Sequence, residues 1–232
     1  MKISVEKTPE QKLSQYAIDT ATTISITHKT NFKQVIEAAI EINDLAGEAK
    51  AMPHIAARNL RSQMELITYI TRAEKAGINK VLIIGGNERK GKAFQGVNEV
   101  YNVLAECGFE MYCGVYPQEE SFYHACSTKY IKFSKGITQI CFNTKMLNAW
   151  HGRTIIGVPT NCSTQGLIKY MRICGLLVSF RHMAGNLAGI QYINRKGFNT
   201  SKFVSRLNHE QIHLYNFGRL DQTLIELEND NR

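Results

Sequence analysis

The sequence predicts a (βα)₈ barrel, an α/β fold in which eight parallel strands close around one axis. Three observations predict it. Short β-branched apolar runs recur eight times along the chain, and stretches of helical period separate them. Repeated βα units call for parallel strands joined by right-handed crossovers, and eight units favour closure over an open doubly wound sheet. The 232 residues match the length that such barrels reach as one domain, so residues 1–232 read as a single barrel domain.

The elements follow in order. "KISVE" (2–6) alternates small or polar with apolar residues and is the first strand. "TTISITH" (22–28) is the second. "NFKQVIEAAIEINDLAG" carries apolar residues at helical spacing and stops at Gly47, a residue suited to the left-handed C-cap. "KAMPHIA" (50–56) is the third strand, and "NLRSQMELITYITRAEKAG" is a helix ending at Gly77. "KVLIIGG" (80–86) precedes a helix in "FQGVNEVYNVLAECG", which ends at Gly108. "EMYCGVY" (110–116) and "GITQICF" (136–142) are the fifth and sixth strands, with a cramped helix between them. "TIIGVPT" (154–160) and "QIHLYNF" (211–217) complete the set, and the span between Pro159 and Gln211 has room for two or three helices.

Composition narrows the function classes. Hydrophobic residues make up 44% and charged residues 21%, which supports a packed core. No apolar run approaches the ~18 residues of a membrane span. The start "MKISVEKTPEQ" lacks the long apolar stretch of a secretory signal. Cys107, Cys113, Cys126, Cys141, Cys162 and Cys174 form no C-x-x-C pair, so free thiols in a reducing cytoplasm are expected, and no metal site. The net charge is +8, but the basic residues are scattered and no nucleic-acid motif accompanies them, so a solvated basic surface is expected.

One stretch imitates a nucleotide loop. "GNERKGKA", from Gly86, lacks only the final Ser/Thr of the P-loop pattern. Ala93 stands at the position of the Mg²⁺-binding hydroxyl, and neither "TQICFN" nor "IIGVPT" ends in the aspartate of a Walker-B strand. An NTPase is therefore set aside.

Active sites of such barrels lie at the C-terminal ends of the strands. Those ends carry Glu6, Thr27-His28, His54, Gly86-Asn87, Tyr116, Gln139, Thr160 and Tyr215, nearly all polar. A ligand site at that mouth follows. A carboxylate shut into a barrel mouth is desolvated, which favours its protonated form and suits Glu6 to general acid work; the alternative is a strand-end Glu paired with Lys7. His54 and His28 either meet a ligand or satisfy a buried carbonyl. Gln139, polar within an apolar strand, either binds the donor–acceptor edge of a planar ligand or ties strands together. Gly85 and Gly86 permit close approach by a ligand or make a tight turn. His124, His151 and His209 read as surface residues, and no His/Asp/Glu set has metal spacing.

In this order, "ISVEKTP", "ISITH", "MPHIAARNLRS", "AGINKVLIIGGN", "GVYPQEE", "ITQICFN" and "IHLYNFGR" resemble the strand motifs of the methylenetetrahydrofolate reductases, more closely their short, reductase-like branch. The resemblance runs nearly end to end. It implies a flavin-bearing (βα)₈ barrel that reduces 5,10-methylenetetrahydrofolate to 5-methyltetrahydrofolate, with hydride passing from NAD(P)H through FAD. Glu6 matches the catalytic Glu. Gln139, Gln165, Tyr215, Arg219 and Asn87 match substrate-side positions. His28, His54, Ile84, Gly85, Gly86, Asn87 and Tyr116 fall around the flavin. Two departures stand out: Asn87 replaces an Asp, and Glu120 replaces a flavin-contacting His. A flavin-free or catalytically degenerate folate-binding barrel of the same family is the alternative. The implied partners are a tetrahydrofolate derivative and NAD(P)H, with no nucleic acid and no membrane, and a homo-oligomer is compatible with the resemblance.

Overall fold

The computed structural model of the protein describes residues 1–27, 32–48, 50–86, 92–117, 132–150, 154–173, 192–194 and 197–230. Its barrel strands are β1 (Lys2–Lys7), β2 (Thr23–Ile26), β3 (Ala51–Ala56), β4 (Lys80–Ile84), β5 (Glu110–Val115), β6 (Lys135–Thr138), β7 (Thr154–Pro159) and β10 (Gln211–Tyr215). They close in the order β1-β10-β7-β6-β5-β4-β3-β2. Every pairing is parallel, including the closing one, in which Ser4 lies beside His213 and Glu6 beside Tyr215. The expected barrel is therefore present, strand for strand.

Several strands end sooner than the apolar runs that announced them. β2 stops at Ile26, β4 at Ile84, β6 at Thr138 and β10 at Tyr215. The chain leaves the sheet at the mouth because other partners take it. After β4, the Gly85 and Gly86 carbonyls turn onto the Arg58 guanidinium. Beyond β6, Phe142 packs edge-on against Phe198 and Phe203, outside the barrel. After β10, the Phe217 N–H turns to the Thr160 hydroxyl and back to the Tyr215 carbonyl, both at 2.9 Å.

The described helices are α1 (Gln15–Thr20), α2 (Phe32–Ala46), α3 (Gln63–Lys75), α4 (Val97–Leu104), α5 (Thr144–Asn148), α6 (Thr164–Ile173), α7 (Thr200–Val204) and α8 (Leu220–Asp230). Gly47, Gly77 and Gly108 close three of the helical segments at φ +66, +67 and +72, the left-handed conformation expected of them. The helix expected over "NLRSQMELITYITRAEKAG" starts later than its pattern. Ala57–Asn59 makes a 3₁₀ turn, and Ser62 then caps α3 by accepting from the Glu65 N–H at 3.1 Å. A two-stranded antiparallel ribbon, β8 (Ile193–Asn194) with β9 (Gly197–Phe198), lies between α6 and α7 and was not expected. The cramped helix between β5 and β6 falls largely on residues 118–131, outside the described ones. Among the described residues no helix is long and apolar enough to cross a membrane.

Two apolar clusters fill the structure. The larger lies between the outer strand faces and the helices, with Ile3, Val5, Ile24, Ile55, Val81, Ile83, Ile156, Ile212 and Leu214 on the strands. The smaller is inside the barrel: Met52, Leu82, Tyr112, Ile137 and Ile155, one from each of β3 to β7. Because side chains alternate along a strand, these two clusters are the two faces of one sheet. On the remaining strands the inward positions are Ser4, Glu6, Ser25 and His213, all polar. The barrel interior is thus apolar on one side and polar on the other.

Gly157 on β7 sets how closely β6 and β10 approach. Its N–H donates to the Thr138 hydroxyl at 2.8 Å, and a Cβ there would lie 2.1 Å from the Thr138 carbonyl oxygen and 2.5 Å from the Tyr215 ring. Gly157→Ala is expected to lower stability by about 2 kcal/mol or more, because backbone and ring must both shift. Urea denaturation of the two proteins measures it; a loss below about 0.5 kcal/mol contradicts the close approach.

Candidate active site

The polar side of the interior gathers at the mouth. Glu6 is the next-to-last residue of β1, and its side chain is 19% exposed. Its Oε2 lies 3.7 Å from Nε2 of His54 and 3.7 Å from Nε2 of His213. The two rings come from opposite sides, one from β3 and one from β10. Both imidazoles therefore approach the same carboxylate oxygen.

A serine on a neighbouring strand holds each ring. Ser25 Oγ is 3.1 Å from His54 Nε2. Ser4 Oγ is 2.8 Å from His213 Nδ1 and 3.3 Å from the Ile212 carbonyl oxygen. The Ile212 carbonyl can only accept, so it takes the Ser4 hydrogen and leaves the Ser4 oxygen as an acceptor toward His213 Nδ1. His213 is wholly buried, and its Nε2 has no hydrogen-bond partner within bonding distance. The Glu6 carboxylate is thus the nearest charge to a buried polar atom that otherwise lacks a mate. Burial pulls the His54 pKa down to about 4, with Glu6 opposing that shift and His213 adding to it. His54 is therefore uncharged at neutral pH.

The Lys7 alternative does not hold. Lys7 lies on the other face of β1, buried, where desolvation lowers its pKa and the carboxylates of Glu41 and Glu10 partly offset the burial. Adjacent residues of a strand face opposite ways, so Lys7 cannot pair with Glu6 inside the barrel.

Other expected site residues take different places. Tyr215 donates its hydroxyl to the Thr138 carbonyl at 2.8 Å and sets its ring edge-on against His213, 5.0 Å between centroids. Phe217 and Tyr170 extend it into an aromatic wall: Tyr170 stacks on Phe217 at 3.9 Å and 1°, and Phe217 on Tyr215 at 6.1 Å and 27°. Gln139 follows β6 directly, its N–H on the Val115 carbonyl at 2.8 Å. Gln165 and Arg219 are exposed, Gln165 in the first turn of α6 and Arg219 at φ 52 just before α8. Gly86 has φ +84, and a Cβ there would meet Asn59 Oδ1 at 2.5 Å, so this position admits glycine alone. Ile84 is half-buried in the smaller apolar cluster, and Tyr116 is exposed. Thr160, grouped with the mouth, is fully buried and donates to the Gly218 carbonyl at 2.7 Å, which makes it a tie between loops. His28, Asn87 and Glu120 lie outside the described residues.

Sequence reasoning missed His213, Ser4, Ser25, Arg58 and the Phe217–Tyr170 stack. His213 had a signal: "QIHLY" places polar residues at every second position. His209, read as a surface residue, is half-buried with Nε2 3.0 Å from the Leu147 carbonyl. The cysteines behave as expected where described. Cys107, Cys113, Cys141 and Cys162 are free, and burial pushes the Cys141 and Cys162 thiols up to about 11, which keeps them protonated. Among the described residues no group of three or more His, Cys, Asp or Glu is arranged to hold a metal ion.

No protein-family profile and no curated protein sequence matches the chain. Solved structures do. A chitinase from the chitin utilization locus of Flavobacterium johnsoniae superposes with a TM-score of 0.56 at 9% identity, over 98% of this chain and 94% of the chitinase. The orotidine 5'-monophosphate decarboxylase of Sulfolobus solfataricus gives 0.54 at 7% identity, over 100% and 99% of the two chains. The coenzyme F420 dependent tetrahydromethanopterin reductase of Methanopyrus kandleri gives 0.53 at 9% identity, over 97% and 96%. At these identities the likeness is one of fold, and the fold is one that a reductase also uses.

The buried, uncharged His54 generates a pH dependence of stability. The unfolded chain takes up a proton on this ring below pH ~6.5, whereas the folded chain resists until about pH 4. Its contribution is whole above pH ~6.5 and is lost as pH falls toward 4. Between pH 7 and pH 5 it amounts to about 2 kcal/mol. Urea denaturation at the two pH values should show that much less acid sensitivity in His54→Gln than in the parent; equal sensitivity contradicts the buried neutral ring.

Proposed function

We propose that the protein is an oxidoreductase of the methylenetetrahydrofolate reductase type, forming 5-methyltetrahydrofolate from 5,10-methylenetetrahydrofolate with NAD(P)H and FAD. The observation that carries the reading is the Glu6 carboxylate, near the strand end with Oε2 between two imidazoles. In this reading that carboxyl group is the proton donor. Delivered to a bridging nitrogen of the folate, the proton opens the methylene bridge and leaves an electrophilic iminium carbon on the substrate. His54 and His213 hold the carboxyl rotamer, and the serines hold the imidazoles. The aromatic wall of Tyr215, Phe217 and Tyr170 offers a face for a planar ring system. In this reading Gln139 and Gln165 bind the pterin amide edge, and Arg219 binds the acidic end of the folate.

The residues at the β4 end fit a flavin. Arg58 engages the Gly85 and Gly86 carbonyls through Nε and Nη2, at 3.1 and 2.7 Å, which leaves its Nη1 hydrogens for a phosphate. When bound there, FAD would supply hydride transfer between NAD(P)H and the substrate carbon. The replacement of Asp by Asn87 and of His by Glu120, within motifs that otherwise resemble the family, favours a second reading: a folate-binding barrel that holds flavin weakly or has lost catalysis.

Glu6→Gln tests the acid. With methylenetetrahydrofolate, NAD(P)H and added FAD, its turnover is expected to fall 10²- to 10⁴-fold, while the Kd for 5-methyltetrahydrofolate stays within about tenfold. Unchanged turnover contradicts the role of Glu6. A parent protein that binds folate and does not turn over selects the second reading.

A further inference from the structure

The opposite end of the barrel carries a site of its own. A cavity of about 170 Å³ opens at the floor, among the first residues of the strands. Lys2, Lys80 and Lys135 line it, and they are the opening residues of β1, β4 and β6. In the closed order these strands lie three, two and three steps apart, so the lysines enter from well-separated sides. Among the described residues none of the three has a carboxylate within ion-pair distance. Lys135 donates to Gln211 Oε1 at 2.6 Å, a neutral partner that leaves the amide NH₂ of Gln211 free to face inward. Glu110, which opens β5 between two of the lysine strands, is engaged by the Tyr112 hydroxyl at 2.8 Å. Burial first, then Glu110 itself, raises the pKa of that phenol, so it remains a donor to the carboxylate.

The three lysines bring more positive charge to this floor than the one carboxylate in register with them, Glu110 beside Lys80, offsets. Singly charged chloride would answer them poorly. We propose that the barrel floor binds a small multivalent oxyanion of the phosphate class, as the free ion or as the head of a small ester. The lysines supply the charge and the Gln211 amide a directed hydrogen bond. This site is separate from the mouth and does not depend on what the mouth binds.

Thermal unfolding of the whole protein in chloride, inorganic phosphate and glycerol 3-phosphate, at matched ionic strength, tests it. The melting temperature is expected to rise with phosphate and to saturate. A lower half-saturation for glycerol 3-phosphate identifies the ester head as the ligand, and a higher one the free ion. Phosphate also stabilises proteins by exclusion from their surface, without saturation and without regard to particular lysines. The double variant Lys80→Gln/Lys135→Gln separates the two effects: it is expected to lose the saturable rise and, in chloride, to melt no lower than the parent. The exposed Lys2→Gln, which does not disturb the interior, is expected to weaken half-saturation about tenfold. An equal rise in the parent, the double variant and Lys2→Gln overturns the site, as does a parent that responds to phosphate no more than to chloride.

Discussion

Closing eight parallel strands into a ring forces every second side chain of each strand onto a common axis, and the rest of the molecule depends on how that axis is filled. On β3 to β7 the inward positions hold Met52, Leu82, Tyr112, Ile137 and Ile155, a dry plug in the middle of the barrel. On β1, β2 and β10 the same layers hold Ser4, Glu6, Ser25 and His213. An ordinary core would make these apolar. Polar groups this deep persist only beside other polar groups: Ser4 meets His213, Ser25 meets His54, and Glu6 lies 3.7 Å from both imidazoles. The plug also divides the axis into two ends. Above it the carboxylate faces the mouth; below it the lysines face the floor.

The mouth shows how a carboxylate can be kept in place without a cation. Glu6 has no lysine or arginine partner among the described residues, and its flanking imidazoles come from strands on either side. An Arg partner would fix the carboxylate as an anion and suppress proton donation. Histidines held by serine hydroxyls position the same oxygen without that penalty. Arg58, four residues after His54, is engaged by the Gly85 and Gly86 carbonyls.

Much of the fold was legible in the sequence because closure leaves a local mark. Each strand is a short β-branched run, and Gly47, Gly77 and Gly108 end helices at positive φ as a C-cap requires. What the sequence concealed depends on partners distant along the chain. Phe142 looked like strand and instead joins Phe198 and Phe203. Thr160 looked like mouth and instead ties Gly218 and Phe217. Glu6 and His54 could be named from the strand ends, but their meeting at 3.7 Å is a property of closure. His213 sits deeper than a strand end, so attention to the rim passed over it. A lysine that opens a strand reads as solvated surface, and only the ring order brings Lys2, Lys80 and Lys135 to one cavity.

The most direct measurement is the visible absorbance of the purified protein, incubated with excess FAD and then desalted. The account predicts a retained flavin band near ~450 nm, a wavelength set by the cofactor itself, that bleaches on addition of NAD(P)H and returns on addition of methylenetetrahydrofolate. A folded protein that emerges from desalting colourless would contradict a flavin-dependent reductase.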